Sequence, residues 1–471
     1  MKVSPLSLGI IHFVGIGGIG MSGIAEILNG LGQKVQGSDV SENHNVQRLR
    51  EKGITIFKGH HADNIENANI LVVSSAIQKG NPEIDAAQKK GISIVHRAEM
   101  LAQLVRLKFS VIISGSHGKT TTTSLVASIF DAAFLDPTVI NGGIITAYGT
   151  NGRLGKGDWM VIESDESDGS FVKLSPTIGV VTNIDPEHLE HYGSFEALQD
   201  SFRIFLEKIP FYGFGVLCRD HPVVMSLMKE ISNKTFLTYG FSEDAHVRAH
   251  NIRREKNKTI FDVEIKFPGQ LPLSWENMEI ALIGDHNIQN ALAALTVAHK
   301  LELPRRFIQE GLSKFEGVKR RFTKTGEVLG AEIYDDYAHH PVEIAATLKG
   351  ARGITQGRLI AIVQPHRYSR VLRLMDEFVQ CMKESDVVFL MPIYSAGEAP
   401  IEGVTQDTLF RIMEEGQLNV KNFNASEDLF PYLRDFLKEG DIAVFMGAGT
   451  ISQWAYAFPL FVQEQKEKRQ S

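Results

Sequence analysis

The sequence predicts an α/β chain of about three domains built on parallel, doubly wound sheets. Three observations carry this. Short β-rich runs alternate with amphipathic helical segments, the alternation restarts twice along the chain, and glycine-rich turns follow two of the apolar strands. At roughly 100 to 200 residues per domain, 471 residues divide into about three, and 43% hydrophobic content suffices for sizeable cores.

From Leu8 to Arg106 strands are expected at Ile10–Gly15, Lys34–Gly37, Ile70–Ser74 and Ser93–Val95, with a helix over Gly20–Leu31. This first domain is placed at residues 1–107. A second α/β pattern begins at Phe109 and runs through Trp159–Ser164 and Ile178–Ile184. It becomes strand-rich and charged around Ala245–Ile280, then helical over Asn287–Lys300, so the central domain is placed at 108–318. Near Gly317-Val318-Lys319-Arg320-Arg321 the pattern restarts, with strands at Glu332–Tyr334, Leu359–Gln364, Val387–Met391 and Ile442–Met446. That gives a last domain at 319–471. The tail Gln463–Ser471 reads as a frayed, solvated end, and there is no internal repeat or low-complexity tract.

A net charge of -7 shows no basic excess, which argues against nucleic acid or an anionic membrane as the main ligand and favours a small-molecule substrate. Met1 to Pro5 lead into a strand-like run without an extended apolar signal core, and no apolar stretch is long enough to span a bilayer. A cytoplasmic protein is expected. Cys218 and Cys381, far apart and outside any C-x-x-C spacing, suggest buried, inert thiols rather than a disulfide or a zinc site.

The most specific stretch is Gly115-Ser116-His117-Gly118-Lys119-Thr120-Thr121, placed between the apolar run Val111–Ile113 and a Thr/Ser-rich helix start. The glycines let backbone amides approach phosphate oxygens, Lys119 can reach terminal phosphates, and the Thr120 hydroxyl is placed to ligate Mg²⁺. This points to ATP or GTP. The general loop G-x-x-x-x-G-K-[ST] opens two residues before Gly115, where this chain has Ile113, so a plain glycine turn capped by Thr120 is the competing reading.

Gly15-Ile16-Gly17-Gly18-Ile19-Gly20 forms a second motif, a G-x-G-x-x-G turn between strand and helix, with Asp39 at the distance expected for a ribose-binding carboxylate. NAD, another nucleoside diphosphate or a purely structural turn all satisfy it. The Lys119 loop shifts the balance from NAD, because a dehydrogenase needs no triphosphate site. A third cluster follows the strand ending at Glu163: Glu163, Asp165, Glu166 and Asp168. The run Ile178–Val181 delivers Thr182-Asn183-Ile184-Asp185-Pro186-Glu187-His188-Leu189-Glu190-His191 to the same sheet edge. Glu163 and His188 can converge on one ion, and carboxylate oxygens with one imidazole suit Mg²⁺ better than zinc. Asp165, Asp168 and His191 read equally well as parts of this site or as bland features, a solvated turn for the two carboxylates and a surface or outer-layer residue for His191.

With these motifs in hand the chain resembles the Mur ligases, ATP-dependent enzymes that add amino acids to the peptidoglycan precursor. Their short loop pattern G-[TS]-x-G-K-T accounts for the late first glycine. Further matches are Gly284-Asp285-His286-Asn287-Ile288-Gln289-Asn290, Tyr334-Asp335-Asp336-Tyr337-Ala338-His339-His340-Pro341, Gln364-Pro365-His366-Arg367-Tyr368-Ser369-Arg370 and Gly447-Ala448-Gly449. Within the family, Gly15 to Ala25, Gly37-Ser38-Asp39, Ser74-Ser75-Ala76-Ile77 and His96-Arg97-Ala98-Glu99-Met100-Leu101 resemble the branch that joins L-alanine to UDP-N-acetylmuramate. Later ligases of that pathway carry a carbamylated lysine downstream of the histidine segment. Leu198–Phe205 contains no lysine here, as is usual for the L-alanine branch. The recycling ligase that attaches an intact tripeptide differs by a cysteine where this chain has Gly18.

The resemblance implies an N-terminal Rossmann-like UDP-binding domain, a central P-loop ATPase-like α/β domain and a C-terminal Rossmann-like domain. It also implies activation of the lactyl carboxylate of UDP-N-acetylmuramate as an acyl phosphate, then attack by the amine of L-alanine. On it, Gly15, Gly17, Gly18, Ile19, Gly20, Asp39, Ser74, Ser75, His96, Arg97 and Tyr337 hold the substrate. Gly115, Ser116, His117, Gly118, Lys119, Thr120, Thr121, His286, Asn287, Asn290 and Asp335 hold ATP, and Thr120, Glu163 and His188 hold Mg²⁺. Lys119, His188, His339, Arg367 and Arg370 serve the chemistry, the arginines because their planar forks suit oxyanions. Asn287 can instead cap a helix. His339 can instead be a buried, hydrogen-bonded core residue, and Arg367 half of a structural ion pair. Arg320 and Arg321 mark a junction that suits a hinge or a phosphate contact. The expected partners are the two small substrates, with the chain a monomer or homodimer.

Overall fold

Why the alternating runs become parallel sheets is visible in their burial. The strand Ile10–Val14 is buried at all but its first residue, and Phe214–Cys218, Leu359–Val363 and Ile442–Met446 are buried throughout, so helices must cover both faces. The computed structural model describes residues 8–470 apart from 79, 256 and 257. It contains three sheets. In the first, five parallel strands run in the order Thr55–Lys58, Lys34–Asp39, Ile10–Val14, Ile70–Val73, Ser93–His96. The strand order reverses at Ile10–Val14, and the glycine turn leaves from that strand's carboxyl end, where ligands of open α/β sheets bind.

The second sheet has ten strands, in the order Leu273–Ile280, Lys258–Ile265, Val247–Glu255, Phe236–Gly240, Phe214–Cys218, Ile178–Val181, Phe109–Ser114, Trp159–Glu163, Thr138–Ile145, Thr150–Arg153. Its middle is parallel, and the Thr138–Ile145 and Thr150–Arg153 pair is antiparallel. The third runs Thr323–Val328, Ala331–Asp336, Ile442–Met446, Leu359–Val363, Val387–Leu390, Val420–Asn422 and is parallel except for its first, hairpin strand. By contacts the chain forms two compact units. One holds the residues up to Ile252 with Phe261–Ile280 and Ile288–Glu316; the other holds Arg253–Ile260, Ala281–Asn287 and Gly317 onward.

The expected helix at Gly20–Leu31 is Ile19–Gly30, and that at Asn287–Lys300 is Asp285–Lys300. The tail expectation is corrected: the described residues from Gln463 continue a helix that spans Ile451–Gln470. The reason lies upstream, where Ile451, Ala455, Phe458 and Val462 bury one helical stripe against the third sheet, and the polar end propagates from that anchored start. Cys218 and Cys381 are buried free thiols, pushed by burial up to about 11 and about 12. Among the described residues no helix is long and apolar enough to cross a membrane.

Within the first unit, the helix that begins at the glycine turn is fastened to the middle sheet's hairpin. Asn151 Nδ2 donates to Ile19 O, and Asn151 Oδ1 accepts from Ser22 Oγ at 3.4 Å and Arg48 Nη2 at 3.0 Å. Glu26, nearly buried, lies 3.3 Å from Arg48 Nε and 2.7 Å from Lys52 Nζ. Gly23 and Gly152 allow the backbones to meet: a Cβ on Gly152 would stand 2.5 Å from Gly23 Cα. Gly152→Ala therefore forces two backbones apart. It is expected to cost about 1–3 kcal/mol, measured as a lowered urea midpoint.

Candidate active site

The carboxyl ends of the parallel strands in the second sheet gather the first unit's polar side chains. Phe109–Ser114 runs between its neighbours with Ser114 opposite Val181 and Ile113 opposite Glu163. Three strand ends therefore deliver Gly115, Glu163 and Thr182 to one edge, where the helix Lys119–Ala132 begins. Gly115 has φ of +133°, and a Cβ there would stand 2.1 Å from Thr182 Oγ1. Gly118, with φ of +80°, opens the helix beside Asn290, whose Oδ1 would meet a Cβ at 2.5 Å and accepts from Thr122 Oγ1 at 3.1 Å. The loop is braced by the neighbouring strand end. Ser116 N donates to Asn183 O (3.1 Å), His117 N to Asn183 Oδ1 (2.7 Å), Thr182 Oγ1 to His117 O (2.6 Å) and Asp185 N to Ser116 Oγ (2.9 Å).

Lys119 Nζ donates to Gly115 O at 2.5 Å, Ser116 O at 2.9 Å and Glu166 Oε1 at 2.8 Å. Burial opposes its charge, but Glu166 and then Glu163 outweigh burial and hold the ammonium above its ordinary value. Burial pushes Glu166 up to about 7, against the pull of Lys119, and its Oε2 is buried without a hydrogen bond. The cation is the better satisfied partner, with three acceptors against one occupied carboxylate oxygen.

Glu163 ties Thr120 to the same edge: its Oε1 accepts from Thr120 Oγ1 at 3.0 Å and its Oε2 from Gly142 N at 2.6 Å. His188, at φ +55°, turns the chain into the short helix Leu189–Tyr192. Its Nε2 lies 3.9 Å from Glu166 Oε1 and 3.6 Å from Glu187 Oε2, and the three residues present ligand atoms within 4.8 Å of one another. Burial, the largest influence, lowers His188 and favours the neutral ring that can ligate. Oxygen-rich donors, one imidazole and the orphaned Glu166 Oε2 fit a hard divalent cation such as Mg²⁺. Behind the loop, His117 Nε2 lies 3.3 Å from Asp185 Oδ2, and His221 Nε2 lies 3.5 Å from Oδ1. Burial opposes ionisation of Asp185, yet His117 and His221 hold it well below the usual carboxylate range.

At the first sheet, Asp39 braces the glycine turn, its Oδ2 accepting Gly17 N at 2.8 Å and its Oδ1 accepting Ser41 N and Oγ at 2.9 and 3.0 Å. Gly15 has φ of +75°, Gly18 precedes the helix, Ile19 begins it, and Gly20 packs against Arg97. Ser74 O accepts Ile77 N at 3.2 Å, which turns the chain after Ile70–Val73. Ser75 Oγ donates to Asp168 Oδ2 at 3.3 Å, His96 Nε2 lies 3.7 Å from that oxygen, and Arg97 Nη2 donates to Asp165 Oδ2 at 3.4 Å. His96 also caps its helix in a reciprocal box with Glu99. Asp165 and Asp168 thus link the residues expected at the sugar nucleotide to those around Lys119, whereas His191 packs edge-on against Tyr192.

The second unit has its own cluster at the carboxyl ends of Ala331–Asp336, Leu359–Val363 and Ile442–Met446. Arg320 lies over the Tyr337 ring at 4.6 Å, Arg321 at 5.5 Å, and Arg320 Nη2 donates to Gly447 O at 2.8 Å. Tyr337 meets His339 edge-on at 5.1 Å, His339 meets His366 at 5.5 Å, and His366 stacks on Tyr394 at 5.5 Å. Arg370 Nη1 lies 3.3 Å from His366 Nδ1, and Arg367, at φ +68°, donates its amide to Tyr394 O at 2.8 Å. Burial, then His339 and the two arginines, lower His366 to about 3. Asp335 is buried and burial raises its pKa; its Oδ2 accepts Ser452 Oγ at 2.6 Å, and its Oδ1 has no hydrogen-bond partner. Asn287 Nδ2 donates to Ile283 O at 2.8 Å, a structural contact, and His286 packs against Gly284.

Glu166, Asn183, His366 and Tyr394 stand in these clusters without an assigned role in the sequence. For Glu166 the available signal was its place in the acidic run Glu163, Asp165, Glu166 and Asp168 at the strand end. For Asn183 it was an amide directly following an apolar strand.

The loop, its carboxylates and the parallel sheets define an α/β phosphate-loop protein. Three family models match in order: the Mur ligase family catalytic domain at residues 10–109, the Mur ligase middle domain at 113–298, and the Mur ligase glutamate ligase domain at 320–449. The chain belongs to the Mur ligase family. It is 54% identical to a UDP-N-acetylmuramate--L-alanine ligase of Brucella anthropi, over 98% of this chain and 99% of that one. It is 53% identical to the ligase of the same name from Brucella ovis, with 98% and 99% covered. Among solved structures, UDP-N-acetylmuramate-alanine ligase of Thermotoga maritima aligns with TM-score 0.81 and 27% identity, covering 97% of this chain and all of that one. A murein peptide ligase of Psychrobacter arcticus shares the fold at TM-score 0.71 and 22% identity, with 96% and 98% covered.

Gly115→Ala places a methyl group against Thr182 in a backbone region that L-residues avoid. It is expected to lower ATP affinity at least about tenfold in equilibrium titration, with the far-ultraviolet circular dichroism unchanged.

Proposed function

We propose that this chain joins L-alanine to the lactyl carboxylate of UDP-N-acetylmuramate at the expense of ATP, through an acyl phosphate, in cytoplasmic synthesis of the peptidoglycan precursor. What carries the reading is that likeness to ligases of that specificity runs the length of the chain, while Lys119, Thr120, Glu163 and His188 stand at one sheet edge. The three segments 1–107, 108–318 and 319–471 are assigned to the sugar nucleotide, to ATP and to completion of the ligase chemistry. A monomer or homodimer suffices.

A carboxylate resists attack by an amine until one oxygen becomes part of a good leaving group. Its oxygen attacks the γ-phosphorus, ADP departs, the amine attacks the acyl carbon, and phosphate leaves as the nitrogen loses its proton. Transfer of this kind depends on alignment and on neutralised charge. The amides at the helix start, from Gly118 to Thr121, cradle the phosphates while those of Ser116 and His117 stay on Asn183, and Lys119 exchanges its loop carbonyls and Glu166 for phosphate oxygens. Thr120, Glu163 and His188 would hold Mg²⁺, with Glu166 and Glu187 beside His188. When bound, the ion supplies charge neutralisation at the transferring group. Asn290 lines the loop, and His286, Asn287 and Asp335 are assigned to the nucleoside. The turn of Gly15, Gly17 and Gly18 brings the UDP diphosphate to the helix N-terminus, where the amides of Ile19 and Gly20 take it, and Asp39, Ser74, Ser75, His96 and Arg97 orient the rest. His339, Arg367, Arg370 and Tyr337 are assigned to carboxylate and phosphoryl charge.

Phosphate release is expected only when ATP, Mg²⁺, UDP-N-acetylmuramate and L-alanine are all present. Release without the amino acid, or reduction of NAD without ATP use, would contradict the proposal. Lys119→Ala is expected to reduce turnover by at least about a thousandfold while UDP-N-acetylmuramate affinity, read by calorimetry, stays within about twofold.

A further inference from the structure

Behind the glycine turn lies a buried polar cluster that the chemistry above does not use. His12, in the middle of Ile10–Val14, and Glu83, in the first turn of the helix Pro82–Lys90, both have 0% exposure. Glu83 Oε2 accepts from Ser38 Oγ at 2.7 Å and lies 3.2 Å from His60 Nδ1. Its Oε1 accepts from Asn64 Nδ2 at 2.6 Å and lies 3.5 Å from His12 Nε2. Gln36 Nε2 can only donate, and it meets His12 Nδ1 at 3.1 Å, so the His12 proton sits on Nε2, facing Glu83. Ser38 and Asn64 donate to this carboxylate, and two imidazole nitrogens stand within 3.5 Å of it. Burial opposes its ionisation, but the nearby His12 ring and the hydrogen bonds from Ser38 and Asn64 hold it below its ordinary value.

Ser38 couples the cluster to the turn. Its hydroxyl is bound to Glu83, and its carbonyl oxygen accepts Gly15 N at 2.8 Å and Ile16 N at 2.9 Å. The next residue, Asp39, takes Gly17 N, and its own carbonyl accepts Gly59 N at 2.8 Å. Gly59 O in turn accepts Asn64 Nδ2 at 3.0 Å, which closes the circuit through the second donor to Glu83. Three successive turn amides are thus committed to Ser38 and Asp39, and the first-turn amides of Ile19 and Gly20 are left as the open helix N-terminus. An unsatisfied polar group in such a network costs more than one pair suggests, because the members orient one another.

We infer that Glu83 is a positioning residue for the sugar-nucleotide diphosphate, locking Ser38 so that the glycine turn presents its helix N-terminus in one geometry. This rests on the proposed assignment of the turn to UDP. Full-length Glu83→Leu and Glu83→Gln, with Leu49→Ala as a core-destabilised control in the same segment, would be compared. The readouts are KM for each substrate, kcat, Tm and calorimetric affinity for UDP. Glu83→Leu is expected to raise the KM for UDP-N-acetylmuramate about tenfold and to weaken UDP similarly, with kcat and the ATP KM within about twofold. Glu83→Gln, which keeps the volume and one acceptor, is expected to raise it less. An unchanged UDP-N-acetylmuramate KM in either Glu83 variant, or an equal rise in Leu49→Ala, would overturn the inference. If Glu83→Leu does not fold, Glu83→Gln alone decides. If the unsubstituted chain releases no phosphate in response to UDP-N-acetylmuramate, the proposed function fails instead, and UDP affinity in the variants still decides the role of Glu83.

Discussion

A buried ammonium among carbonyls and carboxylates organises the strand-end edge of the first unit's large sheet. Lys119 reaches back into its own loop, bonds Gly115 O and Ser116 O, and meets Glu166 from the neighbouring strand end. Burial of that charge is tolerable only with such partners, and each partner fixes something else. Glu166 stands beside His188, its carbonyl oxygen takes the Tyr192 hydroxyl, and Asp165 and Asp168 on the same loop reach Arg97, Ser75 and His96. One short acidic loop therefore connects the phosphate loop to the far side of the unit.

The arrangement also explains why the glycines fall where they do. Gly115 and Gly118 adopt positive φ and leave no room for a side chain beside Thr182 and Asn290, so the loop is defined by contacts from two other elements as much as by its own conformation. The glycine turn at Gly15 follows the same logic with different partners. Ser38 and Asp39, at the end of the adjacent parallel strand, take its first amides. In both places a neighbouring strand's carboxyl end supplies the brace, which only a parallel sheet provides at the same edge as the turn.

The second unit shows a contrasting chemistry. Its strand ends collect Arg320, Arg321, Arg367 and Arg370 around a chain of rings, Tyr337, His339, His366 and Tyr394. Burial first, then His339 and the arginines, keep His366 neutral through the physiological range. Asp335 and Asp336 beneath them are raised by burial, Asp336 to about 6, although Asp336 also accepts amides from Ala338 and Phe322. Cationic surfaces over buried carboxylates suit the binding of oxyanions.

Local pattern sufficed for much of the fold. Apolar runs ending in glycine, acidic or small polar residues marked Ile10–Val14, Phe109–Ser114, Trp159–Glu163 and Ile178–Val181, because buried parallel strands need no partner-specific alternation. The phosphate loop and its lysine were legible for the same reason: their geometry is a property of consecutive residues. The helical tail was not, since Gln463–Gln470 takes its conformation from a buried stripe that begins at Ile451. Nor were the pairings of Glu166 with Lys119, Asn290 with Gly118, or Glu83 with Ser38, His60 and Asn64. Those partners lie 19 to 172 positions apart, and only strand order and register decide which side chains share an edge. Sequence alone determined the two glycine-turn patterns; tertiary structure decided which carboxylates brace them, because burial and distance set the energy of a charge.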